Sequence, residues 1–310
     1  MLRIVQIGNR PQGSVGDVIL AASKGFAKAG HLVTHIFIGG PIDHKAAARF
    51  PGKVIVYADR LAGQGKRALV GQLHRTLLEQ EYDAVIAHRY HPCKITAQAC
   101  RGIAVKRKIA VFHGLENFKR LRRKVFARLF LRRWQIAGVS QAVARDLLQS
   151  GAGFESDQVH VVSNGLDVKA SKAAQISRQE ARSRLGLPPE EFIIGTIGRL
   201  SDSKNQDGLI EAYARIVAKL PPSRLVIIGE GRRRKALASL VARHGLRDRV
   251  LLMGFVPNAQ RYLKGFDLFV FPSRSEAFGL ALLEAMIACV PVIASNAGGI
   301  RELVGDYPFM

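Results

Sequence analysis

Twelve short apolar runs punctuate the chain, and they limit its fold more than any other feature. Seven lie in the first half: "LRIVQIG", "LVTHIFIG", "KVIVYA", "DAVIAH", "KIAVFHG", "QIAGVS" and "VHVVSNG". Five lie in the second: "FIIGTIGR", "RLVIIGEG", "RVLLMGF", "DLFVFPS" and "VPVIAS". Each is apolar at successive rather than alternate positions, so a strand built from it buries both faces. Helical patterns separate them, for example over 16–29, 64–80 and 206–219. Strand–helix alternation with uniformly apolar strands predicts parallel sheets covered by helices on both sides.

With 310 residues the chain exceeds the usual size of one domain. We expect two Rossmann-like, doubly wound α/β domains, over 1–165 and 192–310. The stretch "DVKASKAAQISRQEARSRLGLPPEE" lacks strand character and reads as a junction over 166–191. Open parallel sheets gather ligands beyond the carboxyl ends of their strands. In the first half that rim holds Gly8, Gly13, Gly16, His88, His91, His113, Ser140 and Asn164. In the second it holds Arg199, Lys204, Glu230, Ser273, Glu276 and Gly298–Gly299. Two such rims facing each other would enclose a cleft.

The formal net charge is +23, and it is uneven: residues 1–165 carry 26 Lys+Arg against 10 Asp+Glu. Such an excess calls for an anionic partner, whether nucleic acid, anionic membrane or a phosphorylated substrate. No apolar run approaches the roughly 20 residues that span a bilayer. The apolar part of "MLRIVQIGNRP" is too short for a secretory signal. Three cysteines (Cys93, Cys100, Cys289) form no CxxC and suit a reducing cytoplasm. "HRYHPC" crowds His88, His91 and Cys93 together, but no second ligand pair at a zinc-like spacing accompanies them.

"GTIGRLSDSKN" places Arg199 and Lys204 in a loop between a strand and a helix. A guanidinium fork and an ammonium held there can neutralise a diphosphate; two solvated surface cations are the plainer reading. "SRSEAFGLALLEAM" then spaces Glu276 and Glu284 eight positions apart across a loop and a helix expected from about Phe278 to Ala288. Carboxylates near a helix start interact favourably with its dipole. The same geometry also leaves the backbone N–H groups of Phe278, Gly279 and Leu280 to hold a phosphate. Glu284 can then accept from both hydroxyls of a ribose, and Glu276 can reach a sugar. The glycine pair Gly298–Gly299 reads as a further close-approach loop.

These segments, "GRLSDSKN", "VIIGEG", "LLMGFVP", "FPSRSEAFGLALLEAMIACVPVIASNAGGIREL" and "VSNGLD", resemble the ordered motifs of the family-four retaining glycosyltransferases of GT-B fold, and Glu276 and Glu284 match their Glu-x7-Glu element. The resemblance is specific from Gly195 onward and looser before it. It implies that Arg199 and Lys204 clamp the diphosphate, Glu284 binds the ribose and Glu276 contacts the donor sugar. The backbone around Gly254–Phe255 would meet the base. His113 in "VFHG" matches the histidine beside the reacting centre; apart from the resemblance, a satisfied strand-end histidine is an equal reading. Gly13 and Gly16 in "PQGSVGDV" are approximate counterparts of the family's glycine loop. The resemblance further implies retained anomeric configuration and no metal or other cofactor beyond the nucleotide sugar, in keeping with the lack of an Asp-x-Asp. Family members continue beyond "GDYPFM", so the second domain is expected to be incomplete.

"NFKRLRRKVFARLFLRRW" (117–134) carries eight Lys/Arg and no acid. Phe118, Leu121, Val125 and Leu129, with Phe126, Phe130 and Trp134, recur at helical spacing. An ordinary domain helix would bury such a face; a cationic helix with aromatics also suits an anionic membrane surface. Arg122, Arg123, Arg132 and Arg133, with His88 and His91, are the expected acceptor and membrane contacts. The leading expectation is a cytoplasmic, peripheral inner-membrane enzyme that transfers a hexose, UDP-linked, to an envelope glycan such as lipopolysaccharide core. A nucleic-acid-binding protein is suggested by charge alone and lacks an RNP, zinc-finger or helix-turn-helix signature. An inactive, membrane-binding remnant is the third reading.

Overall fold

The structure, a computed structural model, describes residues 1–57 and 65–305. It divides between Leu166 and Asp167 into two compact units. The first runs β1 (Arg3–Gly8), α1 (Ser14–Lys28), β2 (Leu32–Phe37), α2 (His44–Ala47), β3 (Lys53–Val56) and α3 (Gly65–Leu78). It continues through β4 (Ala84–His88), α4 (Tyr90–Ala99), β5 (Arg107–Phe112), α5 (Leu121–Phe130), β6 (Gln135–Gly138), α6 (Gln141–Gln149) and β7 (Val159–Val161). The second unit opens with α7 (Val168–Ala174) and α8 (Arg178–Leu185) and continues with β8 (Phe192–Ile197), α9 (Gln206–Ile216), β9 (Ser223–Ile228) and α10 (Arg234–Arg243). Then follow β10 (Val250–Gly254), β11 (Leu268–Phe271), α11 (Leu280–Ile287), β12 (Val292–Ala294) and α12 (Ile300–Val304). Gln64 of the expected 64–80 helix, and the chain end from Asp306, lie outside the described residues.

All twelve apolar runs form strands, and both sheets are parallel. Their orders are β3-β2-β1-β4-β5-β6-β7 and β10-β9-β8-β11-β12. Each sheet therefore reverses its winding once, at β1/β4 in the first unit and β8/β11 in the second, where the loops leaving adjacent strands diverge and open a crevice. Burial on both faces explains the continuous apolar runs. In the second sheet Ile193, Val226, Ile228 and Phe269 face one layer, which includes Phe266, Leu282 and Ile300. Their neighbours Ile194, Leu225 and Ile227 face the other, with Ile210, Tyr213 and Leu237. A Cβ at Gly195 would lie 2.2 Å from the Phe266 ring, so the strand is glycine where that ring crosses it.

The stretch 166–191 is not a free linker. The Asp167 side chain caps α7 by accepting from Ala170 N (2.9 Å), and Ser177 caps α8 by accepting from Glu180 N (3.2 Å). Arg182 of α8 is buried, ion-paired to Asp267 (2.6 Å) and donating to Gly265 O (3.0 Å). That pairing fastens α8 to the second unit, which sequence pattern could not reveal because the partner lies 85 residues away.

Residues 113–134 leave the carboxyl edge of the first sheet after β5 and return to its amino edge at β6. Only 121–130 are helical. Phe118, Phe126, Leu131 and Trp134 are buried, whereas Leu121 (76% exposed), Val125 and Leu129 (72%) stand in solvent as one i, i+4, i+8 row. The two apolar rows of the sequence thus have separate fates. The carbonyl of Trp134, the chain's single tryptophan, accepts from Gln158 Nε2 (2.6 Å).

Candidate active site

In the second unit the site grows from the β8/β11 switch point. After β8 the chain turns through a short 3-10 helix (Asp202–Lys204) and enters α9 from Asn205 in the left-handed region (φ 52). That turn directs Lys204 sideways to the loop after β11. Its ammonium ion-pairs with Glu276 Oε2 and lies 4.9 Å from the Phe271 ring centroid. Glu276 Oε1 accepts from Ala277 N (3.2 Å). The two loops are also joined through their backbones, because Arg274 N donates to Ser203 O (2.8 Å). Lys204 and Glu276, expected to contact different parts of one ligand, are therefore partners of each other. Arg199 is exposed, and its carbonyl accepts from buried Gln206 (3.0 Å).

The helix expected from Phe278 starts two residues later, at Leu280, because Gly279 adopts φ 104 as its N-cap. The first N–H groups bonding back into α11 belong to Leu282 and Leu283, both to Gly279 O. Those of Phe278, Gly279 and Leu280 precede that point and lie where a phosphate can be held. The Phe278 ring is buried, so only its backbone can serve. Glu284, partly buried, follows one turn into α11. Gly254 (φ 74) ends β10, and the ring of Phe255 is 75% exposed, available to stack on a base. Ser273 Oγ is buried and has no hydrogen-bond partner among the described residues; it lies at the end of β11, and nothing in the sequence distinguished it from other strand-end serines.

Gly298 and Gly299 make their close approach to the protein itself. A Cβ on Gly298 (φ 55) would lie 2.1 Å from Glu276 O, and one on Gly299 would lie 2.3 Å from Ala277 O. Gly299 N donates to Glu276 O (2.9 Å). The glycine pair thus buttresses the loop that carries Glu276. We expect Gly298→Ala to destabilise the fold by about 1–3 kcal/mol, through overpacking against backbone and a strained φ. An unchanged denaturation midpoint would show that the loop yields freely.

In the first unit a separate cluster gathers at the carboxyl ends of β1, β4 and β5. Gly13 (φ 82) is the N-cap of α1, and a Cβ on Gly16 would lie 2.1 Å from Pro11 O, so these glycines let the loop fold over the first turn of the helix. His113, directly after β5, pairs through Nε2 with His88 Nδ1 (3.0 Å). His88 Nε2 meets Gln6 Oε1 (3.1 Å), Gln6 Nε2 donates to Ser23 Oγ (2.8 Å), and Ser23 donates to Ile19 O (2.6 Å). Burial, reinforced by the neighbouring His35, pushes His88 down to about 3. His113 is held well below the usual histidine range by burial first, then by His88 and Arg89. Both rings are neutral at physiological pH.

His88 is only 4% exposed, so it is not the acceptor or membrane contact expected of it; a strand-end position did not reveal that His113 covers it. His91 is exposed at its edge, and partial desolvation of its ring, then Lys66 and Lys94, lowers its pKa. Cys93 is buried, and its thiol donates to Ala87 O (3.1 Å), so "HRYHPC" does not converge on one point. Ser140 caps α6, accepting from Val143 N (3.1 Å). Arg123 donates to Asn117 O (2.8 Å) and lies 4.3 Å from the Tyr90 ring, which commits it to the fold. Arg132 and Arg133 lie just before β6, at the amino edge of the sheet and therefore away from His113.

Residues 15–170, half of the chain, match the family Glycosyltransferase Family 4, and residues 177–308 match the family Glycosyl transferases group 1. The 2-deoxystreptamine glucosyltransferase of Streptomyces kanamyceticus is 27% identical over 206 residues, 64% of this chain and 53% of that protein. The lipopolysaccharide core biosynthesis mannosyltransferase LpsB of Rhizobium meliloti is 33% identical over 149 residues, 46% of this chain and 42% of that one. The chain thus spans about half the length of these curated relatives. Among solved structures, Anabaena Alr3699/HepE in complex with UDP-glucose superposes with a TM-score of 0.77 at 25% identity, covering 98% of this chain and 83% of that one.

Proposed function

The chain belongs to glycosyltransferase family 4, with the GT-B fold, and from that premise we propose that it transfers a hexose from a UDP-sugar to an anionic envelope glycan or glycolipid, of which lipopolysaccharide core is the first candidate. The single observation carrying this reading is the second unit's switch point. There Lys204, on the loop after β8, pairs with Glu276 on the loop after β11, and that second loop runs into the start of α11, the helix that carries Glu284. The N–H groups of Phe278, Gly279 and Leu280 with Arg199 and Lys204 receive the diphosphate. Glu284 accepts from the ribose hydroxyls, and Phe255 beside Gly254 meets the base. Glu276, oriented by Lys204, contacts the transferred sugar, and His113 is the other catalytic residue of this reading.

As the sugar–phosphate bond breaks, negative charge grows on the leaving diphosphate. Fixed cations and backbone dipoles already aimed there stabilise it without reorganising. In this reading the anomeric configuration is retained and no metal is needed. The anionic partner implied by the charge of the first unit is the acceptor and the surface bearing it. The exposed row Leu121, Val125 and Leu129, with Arg122 and Arg128 on either side of Val125 along the helix surface, favours a peripheral position on the cytoplasmic face of the inner membrane. No helix among the described residues is long and apolar enough to cross a membrane.

A panel of nucleotide sugars, scored for donor hydrolysis and for transfer with and without a chelator, tests the reading. We expect one UDP-hexose to dominate and turnover to survive EDTA. Activity lost to EDTA and restored by magnesium or manganese would replace the cation clamp with a metal site, and no hydrolysis of any donor would overturn the reading.

A further inference from the structure

The hydrogen-bond chain behind His113 has a direction, and with both rings neutral that direction follows from proton count. Ser23 has one hydroxyl proton, and it is committed to Ile19 O (2.6 Å). Toward Gln6, therefore, Ser23 Oγ can only accept, so the group of Gln6 facing it is its NH2 (2.8 Å). The Gln6 carbonyl then faces His88, and an amide carbonyl only accepts, so His88 Nε2 carries the proton of that bond (3.1 Å). A neutral imidazole has one N–H. His88 Nδ1 is consequently a lone pair, and His113 Nε2, 3.0 Å away, must be the donor. The one remaining ring nitrogen, Nδ1 of His113, is a buried lone pair with no partner among the described residues.

We propose that His88 is a positioning residue: with Gln6 and Ser23 it locks His113 in the Nε2–H tautomer, so that Nδ1 is presented as an acceptor for a hydroxyl of the bound carbohydrate. The carbohydrate clause rests on the function proposed above; the tautomer does not. The chain draws on β1, α1, β4 and the residue after β5, so it ties the imidazole to the rigid part of the sheet rather than to a loop. A buried acceptor left unpaired is costly, and a ligand hydroxyl would satisfy it. The assigned tautomer also determines what His113 cannot do. With Nε2–H turned inward and the ring neutral, it cannot donate a proton to a leaving group; it orients and accepts. The titratable and charged neighbours, His35 and Arg89, both oppose a positive charge on the pair. His35 is itself held to about 4 by burial.

Imidazole nitrogen NMR of the 15N-histidine-labelled full chain tests this directly, because protonated and unprotonated ring nitrogens resonate far apart. We expect His113 and His88 each to show Nε2 protonated and Nδ1 bare, without titrating between about pH 5 and 8. A His113 protonated on Nδ1, or either ring titrating in that range, overturns the proposal. In His88→Leu, His113 should lose its single-tautomer signature, with kcat for donor turnover down about tenfold and KM little changed. His88→Asn, whose carbonyl can stand in for Nδ1, should restore both. A His88→Leu protein that folds and keeps the wild-type tautomer would place the lock elsewhere. If no nucleotide sugar is turned over, the spectra still decide the tautomer, so failure of the enzyme reading and failure of this one are distinct results.

Discussion

Lys204→Ala is expected to lower kcat/KM for donor turnover by on the order of 10²–10³-fold, the usual loss when one preorganised charge-stabilising group is removed. The expectation is large because Lys204 has two tasks at the β8/β11 switch point. In the proposed function it brings positive charge to the diphosphate, and in the structure it pairs with Glu276, whose side chain is only 14% exposed. Without the ammonium, Glu276 is left in a partly buried site with a charge the fold no longer balances, so stability should fall as well. The two tasks separate in a double-mutant cycle. Lys204→Ala/Glu276→Ala should regain part of the lost stability, since the unbalanced carboxylate is gone, and none of the lost turnover. Turnover of Lys204→Ala within a few-fold of wild type would remove Lys204 from the proposed clamp.

The second large effect concerns α5. Each cation near an anionic surface contributes about 1 kcal/mol, so three or four together give roughly 3–4 kcal/mol, a several-hundred-fold change in partitioning. Changing Arg122, Arg128, Arg132 and Arg133 to Gln should therefore release the protein from anionic vesicles, as should raised salt, while zwitterionic vesicles bind neither form. Arg123 is left in place because its bonds to Asn117 and Tyr90 are internal. Leu121→Ser/Leu129→Ser should weaken binding without changing its salt dependence, which separates the apolar row from the charges. Undiminished co-sedimentation of the arginine variant would assign the charge of the first unit to something other than a membrane.

The strands were legible because a strand buried on both faces must be apolar at every position, and that demand is local. Helix faces were less so. The pattern in 117–134 shows which residues could share a side, but whether Leu121 or Phe126 meets the sheet depends on where the helix begins. Helix start is equally hidden at α11, where a glycine at φ 104 delays the first turn to Leu280. Among site residues, the glutamates and cations were readable as types in a loop, whereas their pairing with one another depends on β8 and β11 being neighbours. The polar Gln6 inside "RIVQIG" was the one hint of the chain behind His113. A buried amide in an apolar strand needs partners, but only the fold supplies Ser23 from one helix and His88 from another strand. The Gly298–Gly299 pair signals close approach in the sequence, but only the fold shows that what it approaches is the backbone of Glu276 and Ala277.

The position of Trp134 has a practical consequence for anyone who unfolds this protein. The chain's only indole is buried in the first unit, immediately before β6, and its peptide carbonyl is held by Gln158. Tryptophan emission is therefore a spectroscopic label for half of the molecule, present without engineering, while the second unit is silent at that wavelength. Circular dichroism samples the helices of both. A gap between the two melting curves measures how independently the units lose structure, and coincident curves mark a single cooperative transition.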